Sequence, residues 1–113
     1  MDDCLQTGVR LFNQGRFFEC HEVLEEAWTP ERGPRRLFLQ SLIHLAVGLY
    51  HAGRGNPPGA ERQFRKGIRK LAGYLPACEG IDTGRLHRDA VEVLACIEAG
   101  DLTFERPRIH RAR

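Results

Sequence analysis

Between Leu5 and Ile97 the apolar residues return every three or four positions, and each such run ends at or near a glycine or a proline. That spacing keeps one side of an α-helix apolar and offers no sustained strand alternation, so it predicts an all-α chain. Five helices follow from it. The first runs from about Asp3 to Gln14, with Leu5, Val9 and Phe12 on one face and Gly15 as its stop. A second covers about Arg16 to Trp28, after which Pro30 and Gly33 break the chain. The third starts near Pro34 and reaches about Ala52, ahead of Gly53 and Gly55. Asn56 caps the fourth, whose first turn holds Pro57 and Pro58 and whose Ala60, Phe64, Ile68 and Leu71 repeat at helical spacing. After Pro76 and a turn at Gly80 and Asp82, the fifth runs from about Thr83 to Ala99, with Gly100 just past its end.

The expected architecture is a five-helix bundle with a tetratricopeptide-like helix-turn-helix corner. Asn13-Gln14-Gly15-Arg16-Phe17 reads as that kind of turn, and so does Gly55-Asn56-Pro57-Pro58-Gly59-Ala60. No self-similarity at the period of such repeats accompanies them. Leu102 and Phe104 alternate with polar neighbours, which predicts a short extended C-terminal tail lying across the bundle. With 113 residues the natural division is one helical domain over 1–104 and a basic tail over 105–113.

The formal charge of +2 conceals an asymmetry. Up to Trp28 the acids Asp2, Asp3, Glu19, Glu22, Glu25 and Glu26 outnumber Arg10 and Arg16, whereas the remainder is basic and ends on Arg106, Arg108, Arg111 and Arg113. A short basic end of this kind is expected to be solvated. Basic residues are not interleaved with aromatics on one face, so specific nucleic-acid recognition is not expected. The apolar stretch from Leu37 to Leu49 is too short to span a bilayer and is interrupted by Gln40, Ser41 and His44. Neither a leader-like segment nor a CxxC pair among Cys4, Cys20, Cys78 and Cys96 is present, so the expected setting is cytoplasmic and reduced, with no membrane partner.

Chemistry concentrates on helices two and three. At about 100° per residue, His21 falls at the edge of the apolar arc of helix two, beside Trp28, with Glu25 one turn on. On helix three, which is apolar almost all round, Gln40, Ser41, His44, Gly48, His51 and Ala52 share one stripe with Leu37. Polar groups along a buried stripe must find hydrogen-bond partners. Helix two is the expected neighbour, which would bring His21 and Glu25 to His44 and His51. Imidazoles and a carboxylate so placed are a candidate divalent-metal or acid–base site, and equally a satisfied polar core without an ion. Trp28 is expected to seal a corner against helix one, its indole N–H finding an oxygen, or else to wall a pocket with Gln40. Arg36 and Arg54 are expected to pair with the acidic side of helix two or to hold an anion.

The run from Leu11 to Trp28, Leu-Phe-Asn-Gln-Gly-Arg-Phe-Phe-Glu-Cys-His-Glu-Val-Leu-Glu-Glu-Ala-Trp, resembles the bacterial and archaeal family known as domain of unknown function 309. His21, Glu25 and Trp28 match its His-x-x-x-Glu-x-x-Trp/Tyr motif, and the stretch from Arg36 to His44, with Tyr50-His51 and Arg54-Gly55-Asn56, is similar to its second block. The likeness covers roughly residues 5–85. It implies an all-α fold and metal binding by the motif, but no substrate or reaction. Ser41 departs from it, standing where glycine is more usual.

Two functions compete on these grounds. One is a binding module or scaffold with a polar His/Glu site between helices two and three, serving a peptide or protein partner or a homodimer. The other is a divalent-metal-binding protein or metal-dependent enzyme using His21, Glu25, His44 and His51. Surfaces are better represented than chemistry, and the binding module ranks first.

Overall fold

In the computed structural model, which describes residues 1–113, the chain forms α1 (Asp3–Asn13), α2 (Phe17–Trp28), α3 (Arg36–Gly53), α4 (Pro57–Leu71) and α5 (Thr83–Glu98). A single 3₁₀ turn, Ala72–Tyr74, follows α4. The helices start where their capping chemistry lies. Asp2 accepts from the Leu5 amide, Asn56 from Gly59 and Asp82 from Arg85, each satisfying a donor that the helix leaves open. Helix α3 begins at Arg36, because Pro34 and Arg35 stay in the preceding turn.

Each helix packs chiefly on its neighbours in the chain, α1 on α2, α2 on α3, α3 on α4 and α4 on α5. Helix α3 is therefore covered from two sides, which explains why Phe38, Leu39, Leu42 and Ala46 are all fully buried. The small residues of its stripe admit α4, not α2. A Cβ on Gly48 would stand 2.5 Å from the Phe64 ring, and one on Gly67 only 3.1 Å from the Ser41 carbonyl. Glycines on both helices let the α3 and α4 backbones close up. Ser41, in the place where glycine is more usual, turns its hydroxyl back onto the Phe38 carbonyl of its own helix at 2.6 Å.

The last nine residues hold no helix, yet they do not trail into solvent as expected of a basic end. The Asn13 amide nitrogen donates to the Ile109 carbonyl at 2.9 Å, and its oxygen accepts from the Ile109 amide at 2.8 Å. Further on, the His110 carbonyl accepts from the Asp82 amide and the Ala112 amide donates to the Gly80 carbonyl. Ile109 is 4% exposed. The arginines point outward while this apolar residue anchors the segment. No helix is long and apolar enough to cross a membrane.

Candidate functional site

His21, Glu25, Trp28, Gln40 and His44 line one recess of about 250 Å³ where α2, α3 and α4 meet, joined there by Gln63. The His21 Nδ1 lies 2.8 Å from the Phe18 carbonyl. A carbonyl only accepts, so Nδ1 carries the hydrogen and Nε2 faces Glu25, whose Oε1 is 3.5 Å away. The arrangement fixes one tautomer and leaves the other nitrogen available to a proton or a ligand.

His44 is held differently. Its Nε2 lies 2.8 Å from the Lys70 Nζ and its Nδ1 2.8 Å from the Gln63 Oε1. An ammonium only donates, so Nε2 accepts, and Nδ1–H donates to the Gln63 oxygen. Both nitrogens of a neutral ring are thereby engaged with α4. Burial is the main force holding the His44 pKa below its ordinary value, and the cations Lys70, Lys66 and Arg69 act in the same direction against the Gln63 hydrogen bond. Burial likewise lowers the Lys70 pKa, helped by Arg69 and Lys66.

His51 is not part of this cluster. Seven residues beyond His44, it lies about 10 Å further along α3, with its Nδ1 3.3 Å from the Asn56 amide nitrogen. Nowhere do three His, Cys, Asp or Glu side chains converge closely enough to hold one ion. As arranged, His44 offers no free ring nitrogen, because the Lys70 ammonium sits at its Nε2 and Gln63 at its Nδ1.

Trp28 and Arg36 form a clamp. The guanidinium lies 4.1 Å above the indole, while its Nη1 donates to the Trp28 and Glu31 carbonyls at 2.9 and 2.7 Å. Arg36 thus closes the turn between α2 and α3. The expected acceptor for the indole N–H is missing, since Nε1 is buried with no partner. Cys20, beside His21 in sequence, is buried and lies 3.2 Å from the Gly8 carbonyl, and burial pushes its pKa to about 12. That thiol is no nucleophile.

A larger recess, of about 550 Å³, opens where the start of α2, the end of α3 and the tail come together. Phe17, Phe18, Leu49, Tyr50, Leu102 and Phe104 give it an apolar floor, and Arg16, Arg54, Arg106 and Glu19 stand on its edge. Arg16 is paired with Glu19 at 2.7 Å. Arg54 and Arg106 instead lie against ring faces, 5.5 Å from Tyr50 and 6.0 Å from Phe17. Of these residues, only Arg54 entered the sequence reading as a site residue. Gln63 and Lys70 were missed as well, although their seven-residue separation places both on one face of α4.

Comparison with known proteins places the chain among relatives of undescribed activity. A family model described as a domain of unknown function (DUF309) matches residues 5–63. An "Uncharacterized protein YpuF" of Bacillus subtilis (strain 168) is 44% identical over 73 residues, which are 62% of this chain and 42% of that protein. An "Uncharacterized protein" of Aquifex aeolicus (strain VF5) is 28% identical over 100 residues, or 88% of this chain and 30% of its own length. The chain therefore spans less than half the length of either relative.

Proposed function

The chain belongs to the domain of unknown function 309 family, and from that premise we propose that it is a protein-interaction module. In this reading the His/Glu cluster serves as a lock between helices. His44 ties α3 to α4 through both ring nitrogens, and the Trp28–Arg36 clamp fixes α2 against the start of α3. The observation that carries the proposal is the larger recess. It combines an apolar floor, of which Phe18 is 47% exposed, with two guanidiniums that make no ion pair. Exposed aromatic surface beside arginine is a composition enriched in protein interfaces.

An anionic aromatic dye, anilinonaphthalene sulfonate, tests the accessibility of that face to the native protein. Titrated into ¹⁵N-labelled protein, it is expected to move the amide resonances of Phe17, Phe18, Tyr50, Gly53 and Phe104. Shifts clustered instead around His21 and His44 would place the accessible site in the smaller recess and overturn the reading.

A metal-binding reading retains one favourable observation. The His21 Nδ1 is fixed on a backbone carbonyl, which aims Nε2 toward Glu25 in the manner of an oriented ligand. For His44 to join, Lys70 would have to withdraw. The same recess would then hold an ion with His21, Glu25 and His44, leaving His51 outside.

A further inference from the structure

We infer that the larger recess receives an acidic segment of another protein, one that presents a bulky apolar side chain with carboxylates beside it. The inference rests on reading the recess as the interaction face and adds the chemistry of its occupant. Arg35 bridges Asp2 and Glu79, and Arg65 reaches Glu61 and Glu98, whereas the recess keeps two guanidiniums without a carboxylate beside an apolar floor. Arg54 and Arg106 are exposed, and neither makes an ion pair. The fold nevertheless gives them positions. Each lies over an aromatic ring, which holds a planar guanidinium at small entropic cost and leaves its N–H edge free for a carboxylate. Arg106 reaches its place because position 15 is glycine. A Cβ there would fall 1.6 Å from the Arg106 Nη1, and the backbone φ of +77° already disfavours any other residue.

Charge complementarity then selects the partner. Three guanidiniums face one carboxylate around the rim, so a basic segment is repelled and an acidic one drawn in. The recess is an open trough, not an enclosed cavity. A small carboxylic acid would leave much of itself in water, whereas a chain segment can cover the floor and reach both arginines. Phe18, Tyr50 and Phe104 supply the apolar contact that gives the encounter its lifetime.

The test uses fluorescein-labelled short peptides with a Leu-Phe centre flanked by Glu, by Gln or by Lys, read by anisotropy against the full chain. The Glu-flanked peptide is expected to bind about tenfold tighter than the Gln-flanked one, and to weaken as sodium chloride is raised. Arg54→Glu should abolish that preference, and the milder Arg54→Gln should reduce it without affecting the melting temperature. Equal binding of Glu- and Gln-flanked peptides, lost on Phe18→Asp, would overturn the acidic partner while leaving the recess as the interaction face. Binding of no peptide in the panel would overturn both. Sedimentation equilibrium provides another arm: a dimer of the wild type broken by Arg54→Glu would make the occupant a second copy and overturn the inference of a different protein.

Discussion

Phe64→Ala is expected to destabilise the protein by about 3–5 kcal/mol, read by urea denaturation. The ring is fully buried, and it fills the space that Gly48 leaves open on the facing helix. Removing it creates a cavity between α3 and α4 beside Gly48, where no side chain on α3 is placed to refill it. The same geometry makes Gly48→Ala unfavourable. Its Cβ would stand 2.5 Å from Phe64 Cδ2, inside van der Waals contact, so overpacking costing about 1–3 kcal/mol outweighs the gain of about 1 kcal/mol in helix propensity. The two sites share one contact and will not add. Gly48→Ala should cost less in a Phe64→Leu background than in the wild type. Additive effects would mean that the helices do not meet through this pair.

His44→Ala is expected to lower stability by about 1–3 kcal/mol near neutral pH, because Lys70 and Gln63 both lose their partner on α3. The effect should depend on pH in a specified direction. Burial holds the folded-state pKa of His44 below its ordinary value of 6.5, so on acidification the unfolded chain takes up the proton first. The His44 contribution is fully present above that ordinary value and is lost as pH falls toward the lowered folded value. Stability of wild type and His44→Ala should therefore converge as pH falls below the ordinary value of 6.5 toward the lowered folded value. A gap that stays constant or widens in acid would mean that the folded state does not hold the ring neutral.

The helices were legible in the sequence because their ends carry their own chemistry. Asn56 at a cap, Gly15 and Gly100 at stops, and Pro57 and Pro58 in a first turn act locally, and the structure follows them within a residue or two. Side-by-side placement of helices was less legible. Ser41 and Gly48 announce a close approach but not the helix that makes it, and α2 was as good a candidate as α4 until Gly67 and Phe64 are seen opposite. The motif residues His21, Glu25 and Trp28 do gather with Gln40 and His44. The groups that satisfy His44 could not be read, since Gln63 and Lys70 look like ordinary surface positions of a basic helix.

The tail was underestimated for a related reason. Its arginines dominate the composition, while what seats it is Ile109 and the side chain of Asn13 from the other end of the chain. The larger recess was invisible in the sequence because Phe17-Phe18, Tyr50 and Phe104 lie in three separate segments. Each alone reads as core or as a stray surface aromatic. Only the fold brings them to one floor and sets Arg54 and Arg106 at its edge.

The most direct measurement is elemental analysis of the untagged protein together with thermal melts of wild type and His21→Ala, each with added Mn²⁺, Fe²⁺, Co²⁺, Ni²⁺ or Zn²⁺. If the His/Glu cluster is a lock between helices and the protein an interaction module, no metal will be present in stoichiometric amount and no ion will raise either melting temperature. A stoichiometric metal, or a rise in the wild type that His21→Ala abolishes, would contradict that account and make the cluster a metal site.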